Sequence, residues 1–414
     1  MKLWKKTFRF SDDYISLVFD SGFDGSLVEY ETYDGEVIAA VMGVPYSFGN
    51  AEKCIKSLFL CGVATDSKFR SQGFMTKLLQ RINDRARAEG YAFTFLIPYD
   101  EGLREFFHDR DYVNAFYRVT DNYTSLHDFD LEYESVLAEQ KDKVVALKKK
   151  YFESLRVGSI SAAQRPAEGI VEALRKLIHK IEDTQLDLQV IHTDKDIENV
   201  ILENAMTGGS VFYTLNSSEE VTAVAFTSVE EDAVVIHKIY ATDAASKFKV
   251  LGAVKRAFPD RAIRHYISSI EMDRNALWSR TYGSFMPESP QVDTISVTER
   301  VYSLAAHAKM YGMARILDLH EILRFQASIR KDLKYSILMK SPSEEGKLVQ
   351  FDARDGNVKV KTLSYDQVEP SKLAYLMTQR DISEILFRRR DTDNLITEAF
   401  GIPSINGSIC LMLD

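Results

Sequence analysis

Apolar and polar positions change period twice between residues 57 and 98. Residues 57–65 (SLFLCGVAT) form an apolar strand that runs into a short polar loop holding one glycine, Gly73. From there Phe74, Leu78, Leu79, Ile82 and Ala86 fall on one face at helical spacing, with Lys77, Arg81, Asp84 and Arg85 opposite. Gly90 supplies a helix stop, and residues 91–98 (YAFTFLIP) read as the next strand. Strand, glycine loop, helix, strand is a unit able to hold a phosphate, because free backbone N–H groups and the positive dipole end meet at the helix N-terminus.

The same reading extends outward. A helix follows Ser11-Asp12-Asp13, and residues 27–32 and 36–44 form a hairpin around Asp34-Gly35. Leu103, Phe106 and Phe107 mark a short helix, and residues 112–117 a closing strand. Residues 128–154 are charged and helix-prone, with Lys148-Lys149-Lys150 reading as a solvated face. A second α/β block contains helices over 171–181 and 196–205 and strands over 210–215, 221–228 and 233–240. Residues 240–248 (YATDAASKF) echo residues 63–69 (VATDSKF), again between an apolar strand and a helix, which suggests an internal duplication. No Arg-x-x-Gly follows the second copy, so no second phosphate site is expected. From Met310 the character changes again: residues 313–323 lead into a helix, and strands over 335–340, 347–352 and 358–363 follow, the last two joined through Asp355-Gly356. Helices over 370–379 and 383–389 precede an apolar, strand-like tail ending at Asp414.

With 414 residues the chain has room for two or three domains. Apolar residues at 45% and charged residues at 27% are ordinary for a globular protein. The absence of a long apolar run or a signal-like N-terminus makes a cytoplasmic protein without membrane contact the expectation. Cys54, Cys61 and Cys410 are an odd number without metal-like spacing, and no metal is expected. A net charge of -9 speaks against a nucleic-acid partner and for a cationic substrate. His237 and His265 read as core histidines, and Arg388-Arg389-Arg390 as a solvated helix end.

Arg70-Ser71-Gln72-Gly73-Phe74-Met75, placed after a strand ending Gly62-Val63-Ala64-Thr65, resembles the pyrophosphate loop of GNAT-superfamily N-acetyltransferases. The three-block layout resembles their enhanced intracellular survival-like branch. The resemblance implies an α/β (α+β) fold: an acetyltransferase domain over residues 1–125, a second such domain without cofactor loop over 126–305, and a sterol-carrier-like α+β domain over 306–414. It implies acetyl-CoA as co-substrate, with the acyl-pantetheine arm along Val63, Ala64 and Thr65. Backbone amides from Arg70, Ser71, Gln72, Gly73, Phe74, Met75 and Thr76 would cradle the diphosphate. A small-molecule or lysine-type amine acceptor and a homo-oligomer are further implications.

An attacking amine must lose a proton, since a lysine-like amine has a pKa near ~10.4, and the departing thiolate gains from an acid. The family's tyrosine acid position is held here by Phe107, which has no proton to give. Tyr99 and His108 are the substitutes in its neighbourhood. The resemblance also implies a base role for a terminal carboxylate at Asp414. The same scaffold without turnover, binding acyl-CoA or lipid, is the second reading.

Overall fold

The computed structural model describes residues 2–9, 11–20, 27–138, 144–161, 168–184, 188–206, 208–268, 308–342, 344–373, 376–388, 402, 404–405 and 407–409. They fall into two compact units. The first draws on residues 1–117, 186–191 and 309–409, and the second on most of the intervening chain.

The first unit opens with α1 (Lys2–Phe8), α2 (Asp12–Asp20), β1 (Val28–Tyr33), β2 (Glu36–Gly49), β3 (Cys54–Thr65), α3 (Phe74–Ala88), β4 (Phe93–Leu96), α4 (Glu101–His108) and the first half of β5 (Val113–Tyr123). The expected β1–β2 hairpin is present, and its turn residues Asp34 and Gly35 take positive φ of 51° and 76°. Side chains alternate along β2. Ala39 and Val41 enter a core with Leu58, Leu60, Leu78, Leu79 and Ile82, whereas Met42 packs with Trp4 and Ile15 beneath α1 and α2. All four β4 residues are buried. Phe93 and Phe95 join an aromatic cluster with Phe48 and Phe116, while Thr94 shares hydrogen bonds with Asn83 of α3 (2.7 Å) and Tyr112 (3.1 Å). Burial raises the pKa of the Tyr112 phenol, against the hydrogen bonds from Thr94 and Asn83, so the group stays protonated.

The second unit contains α5 (Phe129–Ala138), α6 (Val144–Ser154), β6 (Arg156–Ser161) and α7 (Glu168–Asp183). The chain then contributes β7 (Leu188–Ile191) to the first unit before α8 (Asp194–Met206), β8 (Ser210–Leu215), β9 (Val221–Val229), β10 (Ala233–Ala241), α9 (Ala244–Ala257) and β11 (Ala262–Ser268). Its strands run in the order β5–β11–β10–β9–β8–β6. Residues of α9 and Phe129 bury one face, and residues of α7 and α8 the other.

Chain returning to the first unit forms β12 (Lys309–Ile316), α10 (Leu319–Ile329), β13 (Tyr335–Lys340), β14 (Lys347–Arg354), β15 (Asn357–Ser364), α11 (Pro370–Leu373), α12 (Gln379–Phe387) and β16 (Gly407–Ser408). The chain leaves the first unit after Tyr117 and returns to it at Lys309. The returning segment packs within that unit. Strand β12 lies between β4 and β5, in the order β16–β7–β2–β3–β4–β12–β5. The apolar run from Met310 is thus a strand first, and Asp318 divides it from α10 by accepting from the Glu321 N–H at 3.0 Å. Strands β13, β14 and β15 form a separate antiparallel sheet. The single helix expected over 370–379 is divided: Met377 bridges to Met339, and Thr378 with Asp381 makes a capping box that starts α12.

Candidate active site

Strands β3 and β4 are parallel neighbours only over Ser57–Phe59 and Phe93–Phe95. β3 runs on to Thr65, and from Leu60 its β4-facing edge has no strand partner among the described residues, so Val63, Ala64 and Thr65 border an open fork. The cause is local. Pairing with β2 slips by one residue opposite Gly62, which sits at φ 58°, and such a bulge bends and twists the strand. Gly62 is also required sterically, because a Cβ there would lie 1.8 Å from Trp4 Cζ2. Burial pushes the thiol of Cys61, on the Trp4 side, up to about 12.

Beyond Thr65 the loop folds on itself. Asp66 accepts from the Lys68 N–H at 3.1 Å and pairs with Lys6, and Arg70 Nε donates to the Thr65 carbonyl at 3.2 Å. Ser71 and Gly73 both adopt left-handed backbone, at φ 60° and 80°. Gly73 is the N-cap of α3 and offers no side-chain cap. Nothing lies within 4 Å of where its Cβ would be. The first-turn N–H groups of α3 therefore face an open cradle, with Arg70, Ser71, Gln72, Gly73 and Thr76 exposed and Phe74 and Met75 half-buried on the core. This arrangement fits a diphosphate at the N–H groups and an extended arm along the fork.

Both expected acids, Tyr99 and His108, lie on the surface. Phe107, 3% exposed, belongs to the core with Leu60, Leu96 and Tyr112. Tyr99 is 93% exposed. His108 ends α4 on the surface, where Arg380 of α12 donates to its ring at 2.8 Å. Asp414 lies outside the described residues. The last described residue before it, Ile409, packs near β12: a Cβ on Gly312 would lie 2.8 Å from Ile409 Cδ1. Among the described residues no group of three or more His, Cys, Asp or Glu could hold a metal ion.

Arg110 was not singled out by the sequence. Its guanidinium stacks 3.5 Å from the Phe106 ring centre and donates to Thr76 Oγ1 from Nε at 3.1 Å and Nη2 at 2.8 Å, on the first turn of α3. A cation beside an uncapped helix start adds to the positive potential there. The only signal was its place after Phe106 and Phe107, and nothing in the pattern links it to Thr76.

Residues 1–112 match the model of an acetyltransferase (GNAT) domain. That is the segment that builds the fork and the cradle. Solved structures of similar fold span nearly the whole chain. A probable N-acyltransferase from Enterococcus faecalis has 13% identity and a TM-score of 0.64, over 98% of this chain and 93% of that one. A GCN5-related N-acetyltransferase from Anabaena variabilis has 9% identity and a TM-score of 0.62, over 99% and 94%. Eis1 from Mycobacterium abscessus has 10% identity and a TM-score of 0.55, over 96% and 91%. At these identities the likeness is one of fold. No curated protein sequence matches. Among the described residues no helix is long and apolar enough to cross a membrane.

Proposed function

We propose that the first unit binds acetyl-CoA and passes its acetyl group to a primary amine by direct attack in a ternary complex. The observation that carries this is the pairing of an open fork after Phe59 with an uncapped α3 start at Gly73, within the segment that matches an acetyltransferase domain. In the reaction the amine nitrogen bonds to the thioester carbon, the C–S bond breaks, and the sulfur leaves with the electron pair. The backbone from Arg70 to Thr76 holds the diphosphate, the free edge at Val63, Ala64 and Thr65 hydrogen-bonds the acyl-pantetheine arm, and Gly62 sets the bend that opens that edge.

Asp414 is our candidate for taking the amine's proton. Ile409 packs near Gly312 of β12, and five further residues reach at most about 17 Å. Tyr99 and His108 remain the alternatives for protonating the sulfur. The acidic chain, with net charge -9, favours cationic acceptors. A sterol-carrier-like C-terminal part, tandem acetyltransferase-like units and a homo-oligomer belong to the same proposal.

Burial of Phe107, which can give no proton, favours a second reading: an acyl-CoA-binding protein without turnover. Release of free thiol from acetyl-CoA across a panel of primary amines separates the two. Transfer to any amine, slowed at least tenfold by deleting residues 410–414, supports acetyl transfer with a tail-borne base. Tight coenzyme binding with no transfer to any amine supports the second reading.

A further inference from the structure

Three rings form a ladder at the edge of the cradle. Phe74 is the first residue of α3, and its ring centre lies 6.5 Å from that of Phe69 in the turn before it. Phe69 in turn lies 5.2 Å from Tyr33, the last residue of β1. Phe69 and Phe74 are half-buried, but Tyr33 is 64% exposed although its ring is held against a neighbour. A large aromatic side chain kept in contact and left facing water is a surface for another flat ring. Lys68 and Arg70, both exposed, flank Phe69 in sequence in a chain that is acidic overall.

We propose that the Tyr33–Phe69 pair is the stacking platform for the purine of the coenzyme whose diphosphate rests at the start of α3. Lys68 and Arg70 supply positive charge for its ribose phosphate. This rests on the coenzyme A reading of the loop. One ribose separates diphosphate from purine in that coenzyme, which keeps the purine close to the loop that carries Phe69. A purine has an aromatic face and needs no fixed hydrogen-bond pattern to stack, which suits a platform that offers rings and cations. The platform lies next to the cradle along the chain, so a ligand anchored by its diphosphate meets it without a second association step.

The test is calorimetric titration of the full chain with coenzyme A and with 4′-phosphopantetheine, which lacks the nucleotide. Tyr33→Leu is expected to weaken coenzyme A binding on the order of tenfold and to leave phosphopantetheine binding unchanged, while Tyr33→Phe binds both as wild type does. Equal coenzyme A affinity in wild type and Tyr33→Leu overturns the platform while leaving the loop reading intact. Equal loss for both probes also overturns it, because the substitution then acts through the loop. A change in sedimentation alone would make the patch a self-association surface and overturn it too. Wild type that binds neither probe removes the loop reading itself.

Discussion

Two strand-to-helix junctions, at Asp66 in the first unit and Asp243 in the second, begin alike and end differently. Parallel pairing stops at Phe59 in one and Ile236 in the other, each seven positions before its aspartate. In the second unit α9 starts at once, and Asp243 accepts from the Ser246 N–H at 2.8 Å. The hydroxyls of Ser246 and Tyr151 donate to its other oxygen at 3.0 and 3.2 Å. The helix start is thus filled by the protein's own carboxylate. Side chains of β10 after Ile236 also find partners within the unit. His237 meets Ser228 at 2.7 Å, and Tyr240 donates to buried Glu182 at 3.0 Å, where His192 also bonds. In the first unit residues 67–73 intervene, the aspartate caps only a 3₁₀ turn, and α3 begins uncapped. One junction is satisfied internally, and the other has donors to spare for an external anion.

The comparison can be broken or sharpened at five places. Gly62→Ala should cost about 4 kcal/mol, from positive-φ strain plus the collision with Trp4, read as a drop in the chemical-denaturation midpoint. The second effect depends on pH. Burial, reinforced by Arg118, lowers the His237 pKa to about 4, below the ordinary value of an unfolded chain. The unfolded state therefore binds more protons as pH falls from about 6.5 to 4, and the native state loses about 2–3 kcal/mol across that window. His237→Gln should flatten that part of a stability-versus-pH curve; an unchanged slope would place the titration elsewhere.

Gly73→Asp brings a carboxylate to the cradle and makes α3 resemble α9. Coenzyme A affinity should fall about thirtyfold by like-charge repulsion, with stability lowered by about 1 kcal/mol through the positive φ at that position. Asp243→Ala should remove about 1–2 kcal/mol of stability as the cap is lost, with coenzyme A affinity retained. Arg110→Ala should weaken coenzyme A by roughly threefold to tenfold, through lost positive charge beside Thr76.

Much of this contrast was legible in the chain. The change of period at residues 57–98, the turns at Asp34-Gly35 and Asp355-Gly356, and the echo of VATD in YATD are all local signals, and local structure follows them. Strand β12 was not legible as part of the first unit's sheet, because its neighbours β5 and β4 lie about 190 and about 220 residues away and pairing at that distance leaves no mark on sequence period. Helix α1 was hidden by its charges, since only Leu3 and Trp4 are buried, with Phe8 half-buried beside them. At the site, the glycine loop could be read from residue types. The bend at Gly62, the approach of Arg110 to Thr76 and the return of Ile409 to Gly312 depend on tertiary packing.

The most direct measurement is calorimetric titration of coenzyme A into the wild-type chain and into Gly73→Trp, whose side chain would fill the open space in front of α3. The account predicts saturable binding at one site per chain for wild type and at least a hundredfold weaker binding for the variant, with both equally folded by circular dichroism. No uptake by folded wild type, or equal uptake by the two, would contradict it.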